Sequence, residues 1–192
     1  MNFVEPIRDL KTVQDIAEYL KEQHEKYYVM FMIGIYSGLR ISDILKLKVR
    51  DVRGKDAIKL REKKTGKEKL FPINKELYPV IEAYCVNMKD YDFIVPSSKA
   101  FNKAVSREYA YRVIHTAGEQ FGLDNLGTHT MRKTFGYHFY LQTKDIVLLM
   151  RILNHSDQKK TLRYIGIEQS TIDSAMRKFS LKNGATSQRM AM

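Results

Sequence analysis

The sequence predicts a mainly α domain with one small antiparallel β-sheet inserted early, an α+β fold. Three observations predict it. Apolar residues recur at helical spacing along most of the 192 residues, and a single stretch, 57–73, alternates like strands about a Lys64-Thr65-Gly66-Lys67 turn. The composition, 44% hydrophobic and 29% charged, is that of a globular chain, which excludes a disordered or fibrous one. A chain of this length buries roughly 70% of its unfolded surface and needs no staple or metal to hold a core. One domain is therefore expected over residues 1–180, with residues 181–192 as a disordered polar tail.

In order along the chain, Thr12-Val13-Gln14-Asp15 resembles a capping box with Asp for Glu, and Val13, Ile16, Ala17 and Leu20 follow at helical spacing. A second helix from about Glu25 to Ser37 is apolar nearly all round, so it should run through the centre of the domain. Gly38 should end it, leaving Leu39 and Arg40 just beyond and Ser42 as the cap of a short third helix. A short strand is expected near Val49 to Val52. Ala57-Ile58-Lys59-Leu60-Arg61 and Lys69-Leu70-Phe71-Pro72-Ile73 then read as the arms of a hairpin. Everything later reads as helix, at about 75–88, 106–121, 130–142, 144–153, 157–165 and 170–180. In the 106–121 segment Ala110, Val113, Ile114, Ala117 and Phe121 form one stripe, closed by Gly122.

The 33 basic and 22 acidic residues leave a net charge of +11, and the excess sits in two blocks. Residues 1–40 balance to −1, 41–75 to +7, 76–130 to −2 and 131–192 to +7. If the fold brings the two blocks together they make one positive face suited to a polyanion; the plainer reading is that they keep a small protein soluble. The clusters fall partly on the hairpin and not along one helix face, which argues against a membrane-surface helix. The most apolar stretch, Tyr27 to Tyr36, is far short of the ~20 residues that span a bilayer, and residues 1–20 show no signal-peptide pattern. A lone cysteine, Cys85, excludes a disulfide framework and any Cys-based zinc site, so a reducing cytoplasm is the expected setting.

Several residues could carry chemistry. Arg40 follows an apolar helix and a glycine; Asp43 could simply pair with it, or could brace it to grip a phosphate through two parallel hydrogen bonds. Lys63, Lys64, Lys67 and Lys69 crowd the hairpin turn, as a solvated turn or as a lysine projected into a groove or an active site. His129 and Arg132 lie three apart at a predicted helix start, where backbone N–H groups favour an anion. Leu153-Asn154-His155-Ser156 is a helix-to-helix junction, with Tyr164 nine residues after His155. Tyr164 is one of twelve tyrosines, and most tyrosines are half-buried packing residues.

The order and spacing of the set outweigh each part. Ser37-Gly38-Leu39-Arg40-Ile41-Ser42-Asp43, then Lys64-Thr65-Gly66-Lys67 leading to Pro72, then His129-Thr130-Met131-Arg132, then Leu153-Asn154-His155-Ser156 before Tyr164 closely resembles the catalytic domain of the tyrosine recombinases, the phage-integrase family. The resemblance covers about residues 25–170. It implies that Tyr164 attacks a DNA phosphodiester to give a 3′-phosphotyrosyl intermediate and a free 5′-hydroxyl. A second strand's 5′-hydroxyl would reverse the step, giving integration, excision or inversion. Arg40 and Arg132 would hold the non-bridging oxygens, Lys64 would protonate the leaving oxygen, His129 would assist proton transfer at the tyrosine, and His155 would hydrogen-bond the phosphate. Asp43 would brace Arg40, and Lys63, Lys67 and Lys133 would contact DNA.

No cofactor is expected, and no metal, since there is no carboxylate trio of the kind two-metal nucleases use. The implied partners are double-stranded DNA, further copies of the chain in a dimeric or tetrameric synapse, and accessory DNA-bending proteins, with no membrane; the implied setting is the cytoplasm, on chromosomal DNA. The family's N-terminal core-binding domain is expected to be absent. The helix at 170–180, with Ile172, Ala175, Met176 and Phe179 on one stripe, could pack on its own domain or be exchanged between protomers. Three positions depart from the family: Asn154 replaces a glycine, which matters if that glycine has φ > 0; Lys133 replaces a histidine; and Asp43 replaces glutamate. Type IB topoisomerase-like relaxation, a catalytically silent DNA-binding regulator and an RNA-binding domain are the competing readings.

Overall fold

The computed structural model describes residues 4–61, 68–167, 176–177 and 179. The first helix, α1, runs Leu10–Gln23. Its cap is Asp9, not the expected Thr12: the Asp9 carboxylate accepts the Thr12 N–H and hydroxyl, both at 2.8 Å, and Asp15 pairs with Lys11 inside the helix. An aspartate in extended backbone just before the helix satisfies orphan N–H groups that an internal box cannot reach. His24 closes α1 and, through Nδ1, accepts from Lys26 N–H at the start of α2, Glu25–Ser37.

Helix α2 runs through the centre, as its all-round apolar character requires: Val29, Met30, Phe31 and Ile33 have no solvent exposure, and α1, α4 and α6 pack around it. It stops at Gly38, whose φ is +65°. A Cβ at Gly38 would also stand 2.4 Å from the Phe135 ring, so both the backbone and the neighbour demand glycine. Arg40, in extended backbone, is the N-cap residue of the short α3, Ile41–Ile44; Ser42, the expected cap, lies inside it.

The strand expected near 49–52 is instead a 3₁₀ turn at Val49–Asp51. The Asp51 carboxylate accepts the Lys48 N–H at 2.9 Å, a local bond that competes with strand pairing and leaves only a single bridge between Lys48 and Phe93. The hairpin follows, β1 (Ala57–Arg61) antiparallel to β2 (Glu68–Pro72), with buried Ile58 opposite buried Phe71 and Leu60 opposite Lys69. The connecting residues 62–67 lie outside the described residues, and with them Lys63, Lys64 and Lys67.

Five helices follow: α4 (Leu77–Cys85), α5 (Arg107–Glu119), α6 (Thr128–Thr143), α7 (Ile146–Leu153) and α8 (Gln158–Tyr164). On α5 the stripe of Ala110, Ile114 and Ala117 is fully buried. The helix expected at 170–180 and the tail 181–192 lie outside the described residues, apart from Met176, Arg177 and Phe179.

The apolar residues form two clusters. The larger gathers α1 to α5 with Ile58, Phe71 and Ile94, and takes Met131 from α6. The smaller holds Leu149, Leu153, Ile165 and Ile167, with Phe135 and Phe139 of α6 packed against it. Gly136 makes that packing close, since a Cβ there would come within 2.7 Å of Ile165. Helix α6 thus contributes to both clusters, and Arg132 sits where they meet. Among the described residues no helix is long and apolar enough to cross a membrane.

Candidate active site

Arg132 is 4% exposed and is held at both ends of its guanidinium. One nitrogen donates to the Gly38 carbonyl at the end of α2, and the other donates to the Leu153 carbonyl at the end of α7, at 2.6 Å. Helix C-termini present unsatisfied carbonyls, and a planar fork of donors suits two of them at once. Burial lowers the affinity of Arg132 for its proton and the nearby charge of Arg40 lowers it further, while Tyr164 and Asp43 act the other way. Arg40 and Asp43 line the same cleft as Arg132, and Tyr164 acts on that guanidinium electrostatically.

Arg40 is exposed, and among the described residues no hydrogen bond holds its side chain. It lines a cleft of about 440 Å³ with Asp43, Lys46, Lys59, Arg61, Lys69, Arg132 and Asn154. Asp43 does not pair with Arg40 as expected: no ion pair joins their side chains among the described residues, and the link between them is the Asp43 N–H on the Arg40 carbonyl at 2.8 Å. Asp43 lines the same cleft as Arg132, and its charge raises the proton affinity of that guanidinium.

Tyr164 ends α8, half-buried, with its ring 5.1 Å from that of His155 and almost perpendicular to it, at 89°. Burial pushes the phenol above its ordinary range, and the charges of Arg132 and then Arg40 pull it back. The His155 imidazole rests on Thr161 Oγ1, at 3.2 Å from Nδ1, and Thr161 is itself fixed by donating to the Asp157 carbonyl. Since the Thr161 proton goes to Asp157, Nδ1 donates to Thr161, which leaves Nε2 an acceptor in the neutral ring and a donor only in the imidazolium. The junction before His155 explains one departure from the family pattern: Asn154 has φ +53° and ψ +50°, a left-handed cap that asparagine tolerates better than other non-glycine residues.

His129 occupies the first turn of α6 and is exposed. Its proton affinity is lowered by partial desolvation first, then by Arg132, Lys133, Arg107 and Arg40, all of which favour the neutral imidazole. His155 is lowered by burial and then by Arg132 and Arg40. The fold therefore draws Arg40, His129, Arg132, His155 and Tyr164 to one cationic centre.

Lys133 is not a surface cation of the kind expected to contact DNA. It is 7% exposed, its ammonium donates to the Val4 carbonyl at 2.6 Å, and it stands 5.1 Å from the Tyr164 ring centre. Sequence reasoning passed over Lys46, Lys59, Arg61 and Arg107. The outward-facing half of the β1 alternation, Lys59 and Arg61, was the available signal for two of them. Lys69, expected both at the crowded turn and at the start of the second hairpin arm, donates to the carbonyls of Arg151 and Ile152 at 2.7 and 2.9 Å, tying β2 to the end of α7.

A helical domain with an early hairpin, whose two arginines line a basic cleft and act electrostatically on two histidines and a half-buried tyrosine, defines a class of DNA strand-exchange enzyme. The model of the phage integrase family matches residues 8–170, and the chain belongs to that family, the tyrosine recombinases. Its relatives include a probable integrase/recombinase, YoeC, of Bacillus subtilis, 45% identical over 179 residues that make up 93% of this chain and 98% of that one. The tyrosine recombinase XerA of Pyrococcus horikoshii is 27% identical, covering 90% of this chain and 60% of its own length. Among solved structures, the XerH site-specific recombinase bound to its palindromic difH substrate after cleavage superposes with a TM-score of 0.71 at 15% identity, covering 88% of this chain and 51% of that one, a likeness of fold. The chain is thus a recombinase of the DNA-cleaving and rejoining type.

Proposed function

We propose that this chain exchanges DNA strands at specific sites through a covalent link to Tyr164. The Tyr164 Oη bonds to the scissile phosphorus as the bond from phosphorus to the 5′-oxygen breaks. The phenolic proton passes to neutral His129, and Lys64 supplies a proton to the departing oxygen. Arg40 and Arg132 neutralise the non-bridging oxygens as charge gathers there, and His155, which the arriving phosphate favours as the imidazolium, donates to it from Nε2 while Nδ1–H stays on Thr161. The phosphotyrosyl linkage keeps the energy of the broken phosphodiester, so a second strand's 5′-hydroxyl can displace the tyrosine without nucleotide fuel.

The observation that carries this reading is the position of Tyr164, whose phenol feels the charges of Arg132 and Arg40 and whose ring stands edge-on to His155, with Arg40 and Arg132 lining the adjoining cleft. Arg132 is already engaged by two backbone carbonyls, which fixes the guanidinium before substrate arrives. Arg40 has no such tether among the described residues and closes on the phosphate from the solvent side. Lys46, Lys59, Arg61 and Arg107 extend the positive surface around this point, in keeping with duplex DNA as the partner and with a steep loss of affinity as salt rises. Self-association on DNA belongs to the same reading: Met176 and Phe179, on the apolar stripe of the terminal segment, are 68% and 67% exposed and would dock on a second copy.

A nicked suicide DNA substrate tests the proposal. The parent chain is expected to form a denaturation-resistant adduct, and Tyr164→Phe is expected to bind DNA but form none. An undiminished adduct in Tyr164→Phe would overturn the assignment. A two-site recombination assay then separates strand exchange from simple religation.

A further inference from the structure

Residues 4–8 precede α1 and lie across α6 and the turn that follows α8. The Ile7 N–H donates to Thr134 Oγ1 and the Ile7 carbonyl faces His138 Nε2, both at 2.9 Å. Pro6 and Ile7 are buried. Arg8 donates to the Gly166 carbonyl at 3.1 Å and lies over the Tyr137 ring. Gly166, two residues beyond Tyr164, has φ +74°, and a Cβ there would stand 3.2 Å from Pro6 and 3.1 Å from Arg8. At the other end of the segment, the Val4 carbonyl accepts from Lys133, whose nitrogen lies over the Tyr164 ring.

The segment thus reaches Tyr164 from two sides, through Lys133 onto the ring and through Gly166 onto the backbone. An ammonium this deeply buried is costly unless it is solvated by the protein. Two of the groups that solvate it are the Val4 carbonyl and the π face of Tyr164. Moving either one weakens the setting of the charge, so the segment and the ring are energetically coupled through Lys133.

We propose that residues 4–8 form a strap that positions Tyr164, with Lys133 as its pin and Arg8 as its second attachment. Both are positioning residues: the strap sets where the phenol points, while the chemistry stays with the groups around the phosphate. This inference rests on Tyr164 being the nucleophile, and its test is built to fail separately from that reading.

The test uses the full chain carrying 3-fluorotyrosine at position 164, observed by ¹⁹F NMR, alongside single-turnover cleavage of the suicide substrate at saturating DNA. Lys133→Met is expected to shift or broaden the 164 resonance and to slow cleavage about 10-fold, the scale of a partly desolvated cation–π contact, with DNA affinity kept within about twofold. Lys133→Arg is expected to restore both readouts. Arg8→Gln, at a half-exposed residue whose loss the fold tolerates, is expected to act in the same direction by about 3-fold, as befits one hydrogen bond. An unchanged resonance and cleavage rate in Lys133→Met and Arg8→Gln would overturn the strap. So would a loss confined to DNA affinity, which would make Lys133 a DNA contact. Adduct formation by Tyr164→Phe would instead sink the nucleophile, while the fluorine signal would still report whether the strap holds the ring.

Discussion

Replacing Arg132 by alanine should damage the fold as well as the chemistry, and replacing Arg40 should damage the chemistry alone. Arg132→Ala leaves the Gly38 and Leu153 carbonyls without the donors that now reach them, in a place where Arg132 itself is 4% exposed. Each orphaned buried acceptor costs about 1–3 kcal/mol. Relief of the repulsion between Arg132 and Arg40, and of the burial of a guanidinium, works in the opposite direction. The expected net loss is about 3 kcal/mol, which for a domain of this size lowers the melting temperature by about 6–12 °C. Arg132→Lys can satisfy one carbonyl and should lose about half as much. Arg40→Ala removes an exposed side chain with no hydrogen bond among the described residues, so its melting temperature should stay within about 2 °C of the parent. Differential scanning calorimetry reads these differences, and the suicide-substrate adduct should be lost in Arg132→Ala and Arg40→Ala alike. If Arg132→Ala melts with the parent, or Arg40→Ala falls as far as Arg132→Ala, the division of labour argued here is wrong.

Asn154→Gly should leave stability unchanged or raise it slightly, whereas Asn154→Ala should cost about 1 kcal/mol in urea unfolding, because a Cβ is strained at φ +53°. His129 and His155 both hold their protons more weakly when folded than when unfolded, so the unfolded chain binds more protons in the window below the ordinary histidine value of about 6.5. Their contribution to stability is therefore complete above that value and is lost as pH falls through the depressed folded values. Urea midpoints should fall between pH 7.5 and 5.5, and His155→Gln should flatten that slope. Lys69→Met should free the carbonyls of Arg151 and Ile152 at the end of α7; faster hydrogen exchange at the His155 amide, which bonds to the Met150 carbonyl, would show it, and unchanged exchange would refute it.

What the sequence made legible was whatever depends on periodicity or on a local backbone demand. The run from Glu25 to Ser37 has no polar face, which dictates a central helix, and Gly38 marks its end because little else adopts that turn against Phe135. The hairpin was legible from Ile58 and Phe71, whose inward alternation sets the register. Competition between neighbouring polar groups was harder to read. Asp9 and Thr12 both suit a helix start, and the one just outside the helix took the cap. Asp51 diverted a predicted strand into a tight turn.

Within the site, the order of Arg40, His129, Arg132, His155 and Tyr164 could be read, since each lies at the edge of a predictable element. The wiring between them could not. Asp43 sits near Arg40 in sequence but also acts on Arg132, far along the chain and on the same cleft, and Lys133 meets a carbonyl 129 residues away. Such partners depend on how α3, α6 and the first residues pack together, and spacing along the chain carries no information about that.

The grip of Arg132 on the ends of two helices bears on how lineages of this enzyme decay. A descendant that no longer cuts DNA but still has to fold would remain under selection to keep that side chain, much as a building keeps a tie-beam after its tenants leave. Its survival in a homologue is therefore poor testimony to living chemistry. Position 40, where the fold has little to lose, is where inactivity should first leave its mark.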